Sequence, residues 1–123
     1  MILVDTSVWI EHLRSAGAIL TELLDDGEVL GHPFVFAELA LANLRQRDDV
    51  LRMLRRLPQA TNASHPEVLD LIEREALFGR GIGYIDAHLL AAARLTAASR
   101  LWTRDRRLQA VAAQLGLAAR LSH

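Results

Sequence analysis

The sequence contains no cysteine and no lysine, and its aromatic content is only 5% over 123 residues. Without cysteine, a disulfide framework, a thiol nucleophile and a thiolate metal site are all excluded. No apolar run reaches the roughly 18 residues that a membrane-spanning helix requires. Met1 leads directly into a short apolar segment, without the basic region of a signal peptide. We therefore expect a cytoplasmic protein that does not associate with a membrane.

The hydrophobic content is high, at 51%, and a chain of this length can bury most of the surface that its unfolded form exposes. Because aromatic residues are few, we expect a core of Leu, Ala, Val and Ile in a single domain spanning residues 1–123. The formal net charge is −1, so the chain as a whole is not basic enough to indicate nucleic-acid binding.

All fourteen basic residues are arginines, and many of them cluster in 45–56 and 100–107. A guanidinium group binds phosphate through two parallel hydrogen bonds, so these clusters are candidate phosphate contacts. The best-placed candidates are Arg104, Arg106 and Arg107, which flank an acidic residue, Asp105. The plainer interpretation is that both clusters are solvated helix faces and that the exclusive use of arginine reflects composition.

Short apolar segments alternate with segments of helical periodicity along the chain. We predict strands at residues 2–5, 28–31, 59–62, 101–103 and 117–121, separated by helices. Such alternation is typical of an α/β fold with a parallel sheet and helices on both of its faces. The sequence therefore predicts a three-layer α/β/α fold with four or five parallel strands.

Several helix boundaries carry capping signals. A capping box, in which two residues satisfy each other's backbone amides, is predicted at Ser64 and Glu67, and that helix is expected to end near Gly79. The helix that starts at Tyr84 is expected to continue to Ala98. The other predicted caps are Thr6 or Ser7 for the first helix and Asp48 or Asp49 for the helix that ends before Pro58.

Four acidic residues differ from the solvated acids elsewhere in the chain. Asp5 and Asp105 follow predicted strands, and ligands of open parallel sheets bind beyond the carboxyl ends of the strands. Glu38 and Asp86 lie in helices whose other residues are mostly apolar, where an isolated charge would be unfavourable. These four residues are therefore our candidate site.

A shared site for four carboxylates requires a counter-charge. Two like charges ~4 Å apart near a protein surface repel by about 4 kcal/mol at an effective dielectric constant of 20, and no lysine is available to offset them. Oxygen ligands without Cys or His favour Mg²⁺ or Mn²⁺ over Zn²⁺. Such a site favours metal-assisted hydrolysis of a phosphodiester. Thr6, Ser7 and Thr103, adjacent to two of the acids, are candidates to orient them.

Each acid also has a plainer interpretation. Asp5 and Asp105 are in positions where a carboxylate caps a helix, and Asp86 is where an acid interacts favourably with a helix dipole. Glu38 is equally explained as one half of an ion pair. Periodicity alone leaves both interpretations open.

The stretches LVDTSVWI, FAELALANL, GIGYIDAHLLAAA and LWTRDRRL contain the four acids in order. On these stretches the chain resembles PIN-domain proteins, in particular the small ribonuclease toxins of the VapC type. The resemblance implies a compact α/β/α fold and a Mg²⁺- or Mn²⁺-dependent endoribonuclease whose acidic site is Asp5, Glu38, Asp86 and Asp105. It also implies an antitoxin partner whose tail lies across the site, and a homodimer. Thr103 matches a Ser/Thr of the family pattern.

The chain departs from the family pattern in two respects. Leu108 stands where many members have an aromatic residue, which should affect packing only. An additional acidic residue of some members has no counterpart that we can place, which leaves the number of metal ions open.

Other functions remain possible from sequence alone. The main alternative is a non-catalytic PIN-like module whose acidic pocket holds an arginine of a protein partner. A receiver-like phosphoacceptor domain is disfavoured because its late lysine is missing. His88 is predicted to lie at a helix surface or core edge, and Trp9 and Trp102 in the core or an interface. The remaining histidines show no metal-ligand spacing: His12, His32, His65 and His123.

Overall fold

The computed structural model describes residues 1–121, so that His123 lies outside the described part. This part contains three strands and seven helices. The strands are β1 (Ile2–Val4), β2 (Val29–Leu30) and β3 (Arg100–Trp102). The helices are α1 (Thr6–Ser15), α2 (Ala18–Asp25), α3 (Pro33–Leu41), α4 (Arg47–Arg56), α5 (His65–Arg74), α6 (Tyr84–Leu95) and α7 (Arg106–Gln114).

The sheet is parallel, and its strand order is β2-β1-β3. Strand β1 is therefore central, with Leu3 paired to Leu30 on one side and to Leu101 on the other. Successive strand residues point to opposite faces of a sheet. Leu3 and Val4 are both fully buried, so helices cover both faces. The predicted three-layer α/β/α class is confirmed.

The sheet has three strands instead of four or five. At the two remaining predicted positions the chain forms single parallel bridges, Gly31 with Gln59 and Leu101 with Ala118. The first bridge holds two hydrogen bonds, from the Gly31 amide to the Pro58 carbonyl at 2.8 Å and from the Ala60 amide to the Gly31 carbonyl at 2.9 Å. These segments lie alongside the outer strands for one residue pair only, which is too short for a strand.

Some helix boundaries differ from the prediction. Asp5 and not Thr6 or Ser7 occupies the N-cap position of α1, and it makes no side-chain capping bond there. Helix α4 begins after Gln46, whose φ is +52°, which leaves Asp48 and Asp49 in the first turn. That prediction was wrong because the left-handed turn at residue 46 starts the helix earlier.

The boundaries of α5 and α6 are partly as predicted. The capping box of Ser64 and Glu67 is present at the start of α5. This helix ends at Arg74, before Gly79, because Ala76 adopts a φ of +51° and turns the chain. Helix α6 ends at Leu95, three residues before the predicted end.

The core is built from aliphatic side chains of the sheet and of the helices around it, as composition indicates. Trp9 is 1% exposed and belongs to this core, while Trp102 is partly buried against it. Leu108, at the position of the family's aromatic residue, is fully buried and packs in the core. In residues 1–121 no helix combines the length and apolar character needed to cross a membrane.

Candidate active site

Asp5 lies at the carboxyl end of the central strand. Because β2 and β3 lie on opposite sides of β1, this is the point at which the strand order reverses, where ligands bind in open parallel sheets. The side chain is 7% exposed, and its Oδ2 accepts hydrogen bonds from Ser7 Oγ and Thr103 Oγ1, each at 2.7 Å. Two hydroxyl donors stabilise this buried carboxylate and fix its orientation.

Glu38 lies on α3 and is half-buried. Its Oε1 accepts a hydrogen bond of 2.7 Å from Thr6 Oγ1, at the start of α1. Within the described chain Glu38 has no ion-pair partner, which argues against the plainer interpretation of this residue. The hydrogen bond joins the helices that follow β1 and β2.

Asp86 lies in the first turn of α6, and its Oδ2 accepts a hydrogen bond from the Gly83 amide at 3.0 Å. Burial raises the pKa of Asp86, the hydrogen bond from Gly83 opposes this rise, and the negative charges of Asp5, Asp105 and Glu38 add to it. The three other acids are therefore close enough to act on Asp86 electrostatically.

Asp105 is the N-cap residue of α7 and is exposed. Its Oδ1 accepts hydrogen bonds from the amides of Arg107 and Leu108, at 2.9 and 3.0 Å. Its own amide donates to Thr103 Oγ1 at 3.1 Å, so one threonine contacts two of the four acids. Asp105 is a helix cap, as the plainer interpretation has it, but both capping hydrogen bonds go to Oδ1 and leave Oδ2 free.

The four carboxylates share one pattern. Each has one oxygen held by a hydroxyl or a backbone amide, while its second oxygen accepts no hydrogen bond from residues 1–121. These second oxygens are Asp5 Oδ1, Glu38 Oε2, Asp86 Oδ1 and Asp105 Oδ2. Each side chain is thus oriented by the protein and still has one oxygen available for a ligand.

The donor set fits a hard divalent cation. No three His, Cys, Asp or Glu side chains of the described residues lie close enough together to form a metal-binding group by themselves. Mg²⁺ does not require such a cage, because it commonly uses one or two carboxylates and completes its shell with water and substrate phosphate. Four carboxylates that are separately oriented and have one free oxygen each can supply the one or two protein ligands that Mg²⁺ needs.

The predicted phosphate-binding arginines, Arg104, Arg106 and Arg107, are all exposed and form no ion pair within the described residues. The Arg104 amide donates to Ser7 Oγ at 3.0 Å, so this arginine adjoins the hydroxyl network below Asp5. Arg107 lies against Gly81, where a Cβ atom would fall 2.7 Å from Arg107 Cδ. Gly81 also has a φ of +80°, which favours glycine, and its lack of a side chain leaves room for the arginine against the loop.

A histidine and aromatic cluster beside α3 and α6 was not predicted from sequence. His32 caps α3 by accepting a hydrogen bond from the Phe34 amide, and His88 is 4% exposed, deeper than its predicted core-edge position. Phe34 packs against both imidazoles, with ring centroids 5.5 and 4.6 Å away. Burial, together with the neighbouring His88, lowers the pKa of His32 from 6.5 to about 4. A His-Pro pair directly after a buried strand was the available sequence signal.

The fold is that of an α/β protein with a candidate acidic site at the switch point of its sheet. The chain matches the PIN domain over residues 2–114, and it belongs to the PIN-domain family. It is 55% identical over 118 residues to Ribonuclease VapC32 of Mycobacterium tuberculosis, in strains CDC 1551 / Oshkosh and ATCC 25618 / H37Rv. These alignments cover 96% of this chain and 95% of each relative, which confirms the resemblance to VapC-type proteins.

The fold is also similar to that in the crystal structure of FitAcB from Neisseria gonorrhoeae. The TM-score is 0.62 at 21% sequence identity, over 92% of this chain and 94% of that chain. At this identity the similarity concerns the fold alone.

Proposed function

We propose that this protein is the toxin of a type II toxin–antitoxin pair and a Mg²⁺- or Mn²⁺-dependent endoribonuclease that hydrolyses RNA phosphodiester bonds. Family membership and 55% identity to a protein named as a ribonuclease support the activity. The observation that carries the proposal is that Asp5, Glu38, Asp86 and Asp105 are each oriented through one hydrogen-bonded oxygen and keep a second oxygen free for a ligand. Four free carboxylate oxygens attract a cation, and they would repel a phosphate that arrives without one.

The chain contributes orientation and charge to this reaction. One or two of the free oxygens of Asp5, Glu38, Asp86 and Asp105 would bind the metal directly and the others would bind its coordinated waters, with Thr103 and Ser7 fixing Asp5 and Thr6 fixing Glu38. When bound, the metal lowers the pKa of a coordinated water and offsets the charge that develops on the phosphate. Exposed arginines at the start of α7 bind the phosphates of the strand; these are Arg104, Arg106 and Arg107.

The proposed function also includes two protein partners, an antitoxin and a second copy of this chain. An antitoxin and a second copy of the chain would both require apolar surface, and Leu41, 89% exposed, provides part of it. An apolar cleft of about 400 Å³ between α1 and α2, lined in part by Val8, Leu20 and Trp102, is a second such surface. We place the protein in the cytoplasm, where its RNA substrate would be.

The test is cleavage of single-stranded and structured RNA by purified protein with Mg²⁺ or Mn²⁺, compared with Asp5→Asn and Asp86→Asn. Both variants keep an oxygen that can accept the existing hydrogen bonds, so we expect folded proteins without activity. Asp70→Asn is the matched control, because Asp70 is an exposed acid that pairs with Arg74 on α5.

Cleavage that survives EDTA, or that the two site variants retain in full, would contradict the proposal. Calorimetry with Mn²⁺ addresses the non-catalytic alternative, in which the acidic pocket holds an arginine of a protein partner. A binding module of that kind would take up no metal that depends on Asp5 and Asp86.

A further inference from the structure

A second surface next to the acidic site has the properties of a nucleobase-binding cleft. It lies between the end of α5, the loop 75–83 and the start of α6, and its volume is about 220 Å³. Its wall is apolar and includes Leu77 and Ile82. Two aromatic residues border it, Phe78 at 68% exposure and Tyr84 at 43%. An apolar cleft bordered by two exposed aromatic residues is typical of a ligand-binding surface, whereas a single exposed apolar residue is not.

The loop that carries Phe78 has no regular structure but is held at several points. Leu77 is buried in the core, and its amide donates to the Ile72 carbonyl at 3.0 Å. Arg80 donates to Gln114 Oε1 on α7 at 2.8 Å, and Arg107 of the same helix lies against Gly81. Phe78 is therefore presented to solvent on a fixed backbone, which reduces the entropy cost of binding a ligand.

The ring of Tyr84 is also fixed in orientation. Its hydroxyl lies 2.6 Å from His65 Nδ1 and 3.0 Å from His88 Nε2. The buried His88 ring packs edge-on against it, with the ring centroids 4.9 Å apart. One edge of Tyr84 is thus anchored in the protein while almost half of the residue stays exposed beside the cleft.

One lining residue, Gly83, connects the cleft to the acidic site. Gly83 lines the cleft, and its amide donates to Asp86 at 3.0 Å. Two arginines adjoin the same loop, Arg80 through its hydrogen bond to Gln114 and Arg107 through its close approach to Gly81. A ligand that spans both sites needs a flat apolar group and an anionic group a short distance away, which is the chemistry of a nucleotide in a strand.

We propose that this cleft binds an unpaired nucleobase of the RNA, stacked on Phe78 and Tyr84, next to the phosphodiester at the four carboxylates. The inference rests on the proposed ribonuclease activity and assigns its substrate as single-stranded at this position. Aromatic side chains stack on splayed-out bases of single strands, while paired bases within a helix are not available to them. Arg80 and Arg107 contact the phosphates on either side of the bound base.

The experiment measures binding of a short single-stranded RNA that carries 2-aminopurine, whose fluorescence is quenched by stacking, in EDTA to prevent cleavage. We expect Phe78→Ala to weaken binding by about tenfold, as for the loss of one base–aromatic stack, and to reduce the quenching. Phe78→Trp should retain both. Leu69→Ala, which removes an exposed apolar side chain of α5 that does not line the cleft, should change neither.

Cleavage assays separate this inference from the function on which it rests. If wild-type protein cleaves no RNA with Mg²⁺ or Mn²⁺, the proposed function fails and this inference with it. If it cleaves, but Phe78→Ala leaves quenching, KM and the preference for single strands unchanged, only the nucleobase cleft is wrong. A change of oligomeric state in Phe78→Ala, measured by light scattering, would also overturn it, because Phe78 would then belong to an interface between copies.

Discussion

The Thr103 hydroxyl donates a 2.7 Å hydrogen bond to Asp5 Oδ2 across the boundary between β3 and β1. Both residues are almost fully buried, so this bond is made away from bulk water, where a charge-assisted bond is strong. The same hydroxyl accepts from the Asp105 amide. One threonine thus sets the positions of two acids that come from opposite ends of the chain.

We expect Thr103→Val to reduce RNA cleavage by roughly 10- to 100-fold, as is common when a hydrogen bond to a metal-binding side chain is removed. The volume of the side chain hardly changes, so the effect should come from the loss of the hydroxyl. Steady-state cleavage and Mn²⁺ titration calorimetry measure it. Thr103→Ser should restore most of the activity; a Ser variant as impaired as Val would show that packing, and not the hydroxyl, matters here.

Neutralising Asp86 should stabilise the metal-free protein at neutral pH. The pKa of Asp86 is raised, so its contribution to stability is full below the ordinary pKa of an aspartate and is lost as the pH rises through the folded-state value. Urea unfolding with EDTA should show Asp86→Asn more stable than wild type at neutral pH, with the difference disappearing near about pH 4. Excess Mg²⁺ should stabilise wild type alone. A less stable Asn variant at neutral pH would contradict this.

His32 should make the protein sensitive to mild acid. Its pKa falls from 6.5 to about 4 on folding, so the stability that neutral His32 contributes is present above about 6.5 and is lost as the pH falls toward 4. His32→Asn keeps a capping side chain for α3 without a titrating group. The free energy of unfolding of this variant should depend less steeply on pH between these limits. Equal slopes for the two proteins would disprove the assignment.

Ser64→Ala should cost stability without affecting activity. The Ser64 hydroxyl accepts from the Glu67 amide at 3.2 Å, and removal of such a cap typically costs about 1 kcal/mol. Denaturant unfolding measures the loss, and cleavage below the unfolding transition should be unchanged. This variant is also the control for the others, since reduced activity here would mean that cleavage follows general stability.

RNA binding should depend on salt through the arginines at the start of α7. Removing Arg104 should lower the slope of log binding constant against log salt by about 0.7, the value for one phosphate contact on a single strand. Arg120→Ala, an exposed arginine beyond α7, is the matched control and should leave the slope unchanged. If the Arg104 variant and wild type have identical slopes, Arg104 does not contact an RNA phosphate.

The fold class could be predicted from the sequence because short apolar strands such as the one with Leu3 and Val4 alternate with amphipathic helices. Such strands are buried on both faces, and a parallel sheet between two layers of helices is the usual way to bury them. The predicted strands at 59–62 and 117–121 form only single bridges. Whether a segment at the sheet edge pairs over its whole length depends on how closely the neighbouring loop approaches it, and sequence periodicity carries no information about that distance.

The four acids became candidates because two follow predicted strands and two lie in mostly apolar helices, and it was the resemblance to PIN-domain proteins that favoured a shared site over separate helix caps and ion pairs. The aromatic cleft was not predicted, because nothing in the sequence distinguishes Phe78 from other loop residues. Only the structure shows that Leu77 is buried while Phe78 is exposed.

The central position of β1 also determines when the site forms during synthesis. Strand β1 is made before its partner β3, which completes its carboxyl end and follows about a hundred positions later. Contacts so distant in sequence form late in folding. A nascent chain that has not yet released residues 100–105 from the ribosome lacks both Thr103 and Asp105. An incomplete chain therefore carries an incomplete acidic site, so the proposed activity cannot arise before residues 100–105 have been synthesised and have reached β1.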